Sequence, residues 1–576
     1  MATDYKTFYS AELRRLRQYS QEFARDNPAL APMLGTPSVD PDIERLLEGV
    51  AFLNGHTRHK LSDEFPEIAQ ELASILVPQI LRPMPAATMM VFEPKAALKE
   101  PILIPSGTEL AGKPVQDTSC RFQTTVDLVV ADLFVERASW TTNSKNEPGV
   151  RIDLKTSAGS PEFSLPESIR FFLGDNIETA SVLLMLMQNY RVGVDLIDVS
   201  GNRFDVSDCV VFPGFGEQLV PQPDNGVPAF GLIRELLSFP DKFLFVALDG
   251  LHKKIGMLPT GSFAIQFQFE RVSFALPELS RSSFMLHVVP AVNLFAQSAE
   301  PVELHHETPD YLVLPTGMSR QHHQVFSIES VIGLRQGQVM QRKYVPFALL
   351  EFGARAAQPT YRTSVRPSML GDWMETYLSV VYEPEEEPVP ETLSIELLCT
   401  NRWLAEELKL GEVSEPTSTS PERCAFRNIT PVKGAVDAPT GEDLLWACIS
   451  HTAMNFMSLG DTKTVQALLS LYNNFRTGVH SSRAVNKRQI EGISKLEISP
   501  QSMLYRGSVI RGQAICMLCD QSNWPSIGAM YLWGCVLSRF FATYATINTY
   551  TIFQMRDADT GIEFQWPPML GDKPLI

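Results

Sequence analysis

The segment GTELAGK, residues 107–113, has the G-x-x-x-x-G-K spacing of a phosphate-binding loop. Such a loop cradles phosphates with backbone N–H groups, and the Ser or Thr after its lysine supplies a hydroxyl to Mg²⁺. Here Pro114 follows Lys113 and offers neither a hydroxyl nor an N–H. The residues beyond it lack a helical pattern. The overlapping segment IPSGTEL, residues 104–110, is therefore better explained as a turn between strands, with nucleotide binding kept as an alternative.

Cys516 and Cys519 form a C-x-x-C pair, which is the second candidate for chemistry. A zinc site needs a second pair of ligands, and the chain holds no second C-x-x-C. Residues three apart on a strand also point to opposite faces of the sheet. Two buried thiols therefore explain the pair better than a metal site, and a metal-binding enzyme stays the alternative.

Other patterns do not predict catalysis. The chain has neither the G-x-S-x-G turn of hydrolases nor the G-x-G-x-x-G turn of dinucleotide-binding folds. The histidine doublets at 305–306 and 322–323 give at most one ligand each if they lie on strands. We therefore expect a non-catalytic protein without a cofactor or a metal.

The composition of this 576-residue chain limits the kinds of partner that we expect. Its formal net charge of −17 disfavours nucleic acid and anionic lipid, which attract basic surfaces. The apolar runs SVLLMLMQ from Ser181 and AMYLWGCVL from Ala529 are shorter than the roughly 18 residues of a membrane span and indicate buried core. The chain shows no export signal, and its eight cysteines are scattered rather than arranged as a disulfide framework. We expect a multidomain cytoplasmic protein with no direct membrane insertion.

The first 86 residues predict three helices. The first, from about Asp4 to Arg25, places apolar residues mostly three or four apart, and we call this set the N-terminal stripe: Tyr5, Phe8, Tyr9, Leu13, Leu16, Tyr19 and Phe23. The second starts at Pro41, where Asp40 can cap it, and its predicted buried face is Ile43, Leu46, Leu47, Val50 and Leu53. The third starts near Pro66.

The N-terminal stripe has two explanations. It forms either the core of a local three-helix unit or a surface for another chain. Burying it contributes roughly 10–20 kcal/mol gross, whereas association costs about 4–15 kcal/mol. The stripe is large enough to support an intermolecular bundle, but its size does not separate the two explanations.

The rest of the chain predicts two further regions. From 87 to 382, short segments alternate or run apolar over strand lengths, separated by Pro and Gly, which indicates a β-rich region of one or two units. The acidic, proline-flanked segment 383–388 predicts a linker. Residues 383–576 mix strand patterns such as VIRGQAICMLCD with helix patterns such as AMYLWGCVLSRFFATYA. The predicted fold class is α+β and multidomain, divided as 1–86, 87–382 and 383–576.

Residues 476–488 form a basic island in this acidic chain, with Arg476, Arg483, Lys487 and Arg488. The island is either a solvated loop or a docking patch for an acidic partner. A docking patch of this kind would act mainly on the rate of encounter and on specificity.

Several segments of the chain resemble one known family. The N-terminal block combines Phe8-Tyr9, Glu12-Leu13 and Leu16-Arg17 with two later segments, DPDIERLLEGVAFL from Asp40 and LSDEFPEI from Leu61. Further segments follow in family order: IRELLSFPDKFLFVALDGL from Ile233, LLCTNRWLAEEL from Leu397, RGQAICMLCD from Arg511, YLWGCVLSRFFATYATIN from Tyr531 and FQWPPMLG from Phe564. Across essentially the whole chain, these segments resemble TssF, a baseplate subunit of the bacterial type VI secretion system.

The resemblance implies a structural role in assembly. Two copies of a TssF-like protein are expected to join one TssG, partly through a bundle of N-terminal helices. TssG and a second TssF copy would then be partners of the N-terminal stripe, and TssK, TssE and the VgrG spike hub would be further partners. Six such wedges would ring the spike and serve as the platform for sheath assembly.

Overall fold

The structure is a computed structural model with an α+β, multidomain architecture, which confirms the predicted fold class. It describes residues 2–26, 41–98, 100–156, 163–223, 226–255, 257–258, 261–335, 341–347, 359–368, 370–371, 373–381, 389–438, 460–473 and 480–571. Among these residues, no helix is long and apolar enough to cross a membrane.

Two long helices form the N-terminal region. Helix α1 spans Ala2–Asp26 and packs along α2, Pro41–Leu76, and the short helix α3, Pro78–Leu81, follows. The prediction of separate second and third helices is wrong, because α2 continues through Pro66 for 36 residues in all. Proline suits a first helical turn, but inside a helix it removes one hydrogen bond of the ladder. Here the turns on both sides of Pro66 are kept.

Strands dominate the described residues between 87 and 428, which also contain three α-helices. The helices are α4 Ile177–Asn189, α5 Pro228–Ser238 and α6 Leu251–Ile255. The strands are β1 Ala87–Pro94, β2 Ile102–Ile104, β3 Glu109–Gly112, β4 Arg121–Thr124, β5 Leu128–Val130, β6 Phe134–Thr142, β7 Pro148–Lys155, β8 Phe163–Ser164, β9 Ser168–Phe172, β10 Arg191–Asp198, β11 Arg203–Asp205, β12 Val210–Val211, β13 Phe245–Asp249, β14 Met257–Leu258, β15 Ser262–Phe269, β16 Met285–Leu286, β17 Val288–Val292, β18 Phe295–Ser298, β19 Val302–Leu304, β20 Tyr311–Val313, β21 Gln324–Leu334, β22 Arg342–Pro346, β23 Thr360–Pro367, β24 Met374–Val381, β25 Glu391–Thr400, β26 Val413–Pro416 and β27 Cys424–Asn428.

Three larger sheets organise these strands. The first has the order β26-β3-β4-β17-β1-β27, and the second has the order β11-β10-β15-β7-β6. The third runs β18-β25-β21-β22-β23-β24-β20, and β19 also pairs with β25. The smaller sheet β12-β13-β9-β16 and the pairs β2-β5 and β14-β8 complete this part.

Strands beyond residue 383 belong to the same sheets as strands before it. Strand β25 pairs with β21 along most of its length, and β27 pairs with β1. The acidic segment 383–388 lies outside the described residues. The division at 382/383 stays a prediction, and these pairings favour a boundary after residue 428. The sequence could not indicate a boundary after residue 428, because pairing between distant strands does not change the local composition.

The C-terminal part is a mixed sheet with helices. Its elements are α7 Thr462–Leu471, α8 His480–Glu491, β28 Ile493–Tyr505, β29 Ser508–Cys519, α9 Ile527–Ala542, β30 Thr549–Asp557, β31 Glu563–Gln565 and β32 Met569–Leu570. The predicted strand VIRGQAICMLCD is β29, and the predicted helix AMYLWGCVLSRFFATYA contains α9. Because β29 and β30 are parallel, a crossover must connect them, and α9 provides it.

The core joins the middle and C-terminal regions through α4 and α9, which pack together. Both predicted core runs are buried in them. At Gly528 the helices approach so closely that a Cβ would lie 2.3 Å from the Val182 backbone nitrogen. Glycine is therefore required there. Beside it, the hydroxyl oxygens of Ser181 and Ser526 lie 3.1 Å apart.

Candidate protein-docking surface

The N-terminal stripe is divided between packing inside the chain and exposure to solvent. Tyr9, Leu13 and Leu16 are partly buried, on a helix that packs along α2. Tyr19 and Phe23 are half exposed. The side chains of Tyr5 and Phe8 lie outside the described residues. The local-core explanation therefore accounts for the middle of the stripe, and its use as an interface stays a prediction.

A second exposed apolar set lies on the N-terminal half of α2. Leu46, Val50 and Leu53 are 69%, 36% and 64% exposed, and their spacing of four and three places them on one helix face. The prediction that this face is buried within the chain is wrong for these three residues. Ala51 and Gly55 are buried instead, on another side of α2, where their small size permits close helix packing.

We call six exposed apolar residues of α1 and of the N-terminal half of α2 the hairpin surface: Tyr19, Phe23, Leu46, Val50, Phe52 and Leu53. Fully burying a large apolar side chain contributes about 1.5–3 kcal/mol. The free energy gained by burying six such side chains exceeds the lower estimates of the free-energy cost of association. Clustered exposed apolar residues of this kind typically mark an interface with another chain.

The C-terminal end of α2 is fixed to the third sheet by one side chain, which forms the hydrogen bonds that a neighbouring strand would form. The Gln70 Nε2 group donates to the Val365 carbonyl at 2.8 Å, and the Val365 N–H donates to Gln70 Oε1 at 3.1 Å. The Gln70 side chain thus satisfies both the N–H and the carbonyl of Val365, at the edge of β23. Arg362 on the same strand pairs with Glu71 at 2.6 Å. These contacts orient α2 relative to the sheet.

Helix α5 holds the chain just after α2. Arg234 donates to the carbonyls of Gln79 and, at 2.8 Å, Arg82, which lie at the end of α3. The next residue, Glu235, forms a fully buried ion pair with Lys242 and also accepts from the Leu219 N–H at 2.9 Å. The segment IRELLSFPDKF therefore contains the residues that join the helical region to the core.

The GTELAGK segment has no free backbone donors for a phosphate. The Gly107 N–H donates to the Thr124 carbonyl at 2.7 Å, the Gly112 N–H to Cys120 at 2.8 Å, and the Lys113 N–H to Glu412 at 3.0 Å. Residues 109–112 form β3, in the middle of strand pairing with β4 and β26. The turn predicted in IPSGTEL is confirmed at residues 105–108, between β2 and β3, and the rest of GTELAGK is mostly strand. The nucleotide alternative loses its structural basis.

The Cys516–Cys519 pair lies on β29, with Cys519 buried and Cys516 partly buried. Burial raises the pKa of both thiols, that of Cys519 to about 12, so neither is a thiolate at neutral pH. Nucleophilic attack needs the thiolate. Within the described residues, no three His, Cys, Asp or Glu side chains group as metal ligands would.

A cavity of about 780 Å³ lies between β1, β6 and the segment 280–287. Its serines 280 and 282 donate to the Asp175 carboxylate, at 3.1 and 2.5 Å. His287 is largely buried, accepts from the Ala131 N–H at 3.2 Å, and has a pKa lowered by burial to about 4. An activated nucleophile in this cavity would need the serine hydroxyls and the His287 imidazole nitrogen. Each of these groups already forms a hydrogen bond with another group of the chain.

A family profile described as "Type VI secretion system, TssF" matches residues 1–573, almost the entire chain. The chain belongs to the TssF family. It is similar to "Type VI secretion system component TssF1" of Pseudomonas aeruginosa, with 25% identity over an alignment that covers 98% of each chain.

Solved structures share the fold of this TssF-family chain. A chain of the TssK-TssF-TssG baseplate subcomplex, determined by cryo-electron microscopy, has 23% identity and a TM-score of 0.75, over 91% of this chain and 98% of that one. A chain of the type VI secretion baseplate complex has 22% identity and a TM-score of 0.62, over 99% and 100%.

Proposed function

We propose that this TssF-family chain is a non-catalytic structural subunit of the type VI secretion baseplate, and that its hairpin surface docks on TssG and on a second copy of the chain. The observation that carries the proposal is the exposed face of Leu46, Val50 and Leu53 on a helix whose other end is fixed by Gln70. A helix held at one end presents its apolar face in a defined direction, which lowers the entropy cost of binding.

The remaining partners follow from family membership and from the complexes that contain related chains. We propose two copies of this chain per TssG, with TssK as a direct neighbour in the wedge. TssE and the VgrG hub would contact the assembled wedges, six of which surround the spike in the cytoplasm. In this arrangement the β sheets act as rigid spacers, and the helices supply the contacts between chains.

The candidate chemical sites support a structural role. The backbone N–H groups of Gly107, Gly112 and Lys113 already donate to backbone carbonyls of the chain, and burial holds Cys519 as a thiol. We therefore assign no catalytic residue, cofactor or metal.

Co-expression with TssG followed by size-exclusion chromatography tests the proposal. The two proteins should elute together, with about two copies of this chain per TssG, and the chain alone should self-associate or be poorly soluble. Separate elution of two folded monomers would contradict the proposed role.

A further inference from the structure

The charged residues of the basic island lie at the surface. Arg483, Lys487 and Arg488 are exposed on α8, so the predicted loop is a helix at these positions, and Lys487 pairs with Glu491 at 3.7 Å. Arg476 lies outside the described residues. A solvated helix face accounts for these three cations, and a docking role for them stays a prediction. The polar groups that need a ligand are buried instead, beside α3.

A small cavity lies where three parts of the fold meet. Its walls are α3, the segment 220–223 together with α5, and Phe326 of the third sheet. The cavity measures about 10 Å³, and a single water molecule occupies about this much space when cavities are measured in this way. The cavity is therefore sized for one water molecule and excludes a larger ligand.

Two arginines hold these walls in place. Arg234 on α5 donates to the carbonyls of Gln79 and Arg82, at the end of α3. Arg82 donates to the Pro221 carbonyl at 3.2 Å, and its guanidinium lies 5.4 Å from the centre of the Phe326 ring. Because these contacts span all three walls, the cavity cannot close without breaking them.

The Gln79 amide lines this cavity and is buried. The residue is 2% exposed, and neither its Oε1 nor its Nε2 forms a hydrogen bond with any residue that the structure describes. Turning the amide over exchanges the two atoms but still leaves one donor and one acceptor unpaired. Such an amide is unfavourable, because it loses its hydrogen bonds to solvent and gains none in the protein. A ligand that both accepts and donates would restore them.

A second unpaired acceptor lies in the same cavity. The Oε1 atom of Gln222 is buried and forms no hydrogen bond within the described part of the chain. Gln222 is held against α5, where a Cβ on Gly231 would lie 2.6 Å from its Nε2. A water molecule can accept from Gln79 Nε2 and donate to Gln222 Oε1, and buried waters typically make about three hydrogen bonds of this kind.

The charges around the cavity favour a neutral ligand. Glu235 lines the cavity, but its carboxylate already pairs with Lys242 and accepts from the Leu219 N–H at 2.9 Å. A cation in the cavity would lie beside the guanidinium groups of Arg82 and Arg234, and an anion would lie beside the Glu235 carboxylate. Water meets neither repulsion.

We propose that one buried water molecule binds between Gln79 and Gln222 and bridges α3 to the segment before α5. Buried polar groups that find no partner in the protein are commonly satisfied by water in this way. The site joins the N-terminal helices to the core, so the water stabilises their attachment whichever chain covers the hairpin surface. The inference does not rest on the proposed function.

A crystal structure of the full chain, at a resolution that shows ordered water, tests the site directly. The expected result is one peak of density within hydrogen-bond distance of both the Gln79 amide and Gln222 Oε1. A direct hydrogen bond between the two amides, or density without such a peak, overturns the inference.

The variant Gln79→Met tests the bridge in solution through local hydrogen–deuterium exchange. Methionine keeps the length of the side chain but removes both polar atoms, and it leaves Gln222 without its water. Exchange at residues 79–82 should rise by about threefold to tenfold, which corresponds to the loss of one hydrogen bond. Without a bound water the sign would be opposite, because methionine would remove an unpaired polar group. Slower or unchanged exchange therefore overturns the inference.

The variant Gln222→Met supplies the other half of the comparison. It should raise exchange at residues 79–82 by a similar factor, and the double variant should raise it by less than the product of the two, because both ends of the bridge are then apolar. Gln501→Met, at an exposed position of β28, is the control and should leave this exchange unchanged. A double variant whose effect equals the product, or an equal rise in the control, overturns the inference.

Discussion

Gln70 and Val365 are 295 residues apart in the chain, yet they exchange two hydrogen bonds, at 2.8 and 3.1 Å. The amide side chain of a helical residue here takes the place of a neighbouring strand. This contact links the orientation of α2 to the third sheet, and through α2 it sets where the hairpin surface points. The proposed docking role depends on that orientation.

Replacing Gln70 with alanine should loosen α2 without unfolding the sheet. The partly buried Val365 N–H and carbonyl would lose their partners, and the cost of about 1–3 kcal/mol for a buried unsatisfied polar group is an upper limit here. Hydrogen–deuterium exchange should rise in residues 70–77, while strands β28–β30 exchange as before. Gln501→Ala, at an exposed position, is the matched control. Equal exchange of residues 70–77 in both variants would show that the contact does not fix α2.

Replacing Leu46 and Leu53 with aspartate should abolish binding to TssG. Both side chains are exposed in the chain alone, so the fold should survive, but a carboxylate buried in an interface without a partner is costly. A pull-down with TssG measures the loss. Leu370→Asp, at a residue 73% exposed, should bind normally. Normal binding by the double variant would place the interface elsewhere.

The buried pair Glu235–Lys242 should be a strong determinant of stability. Lys242→Met leaves Glu235 buried without its cation, which costs about 3–5 kcal/mol. The double variant Glu235→Gln with Lys242→Met should recover part of this loss, because it removes both charges. Chemical denaturation followed by tryptophan fluorescence measures the change. Lys495→Met, in a surface pair, should change little, and an equal effect there would refute the assignment.

Histidine 287 should make the fold less stable in mild acid. Burial lowers its folded pKa from 6.5 to about 4, so between these values the unfolded chain binds more protons than the folded chain. Stability should therefore fall as pH drops from 6.5 to 4, by up to about 3 kcal/mol from this group.

The variant His287→Asn isolates that contribution. The backbone of His287 has φ of 57°, a conformation that asparagine tolerates, and asparagine does not titrate. Thermal unfolding between pH 6.5 and 4.5 should show a smaller loss of stability for the variant than for the original chain. Parallel curves would mean that His287 titrates normally in the folded protein.

Local patterns predict much of the fold but not its long-range order. The apolar pattern of α9 and the strand pattern of β29 identified these elements, whereas the run from Ser181 predicted burial but not the helix α4. Pro66 misled the prediction, because proline favours a helix start and disfavours a helix interior, yet α2 continues through it. The contact of Gln70 with Val365, and the pairing of β25 with β21, have no signature in neighbouring residues.

The proposed docking surface was only partly predictable for the same reason. An apolar helical stripe predicts burial but does not identify the chain that buries it. Leu46, Val50 and Leu53 have the pattern of a core face, and the structure leaves them exposed. The family supplies candidate partners, and the accessible surface of α2 supplies the residues to test.

Cysteine accessibility at position 53 tests the central claim most directly. A Leu53→Cys variant would be treated with a maleimide, alone and in the co-expressed complex with TssG, and labelling at that site would be measured by mass spectrometry. A Leu370→Cys variant serves as the control. We predict rapid labelling of Cys at 53 in the chain alone and at least about tenfold slower labelling in the complex, with position 370 unchanged, because a buried interface excludes the reagent. Equal labelling at position 53 in both states would contradict the proposed interface.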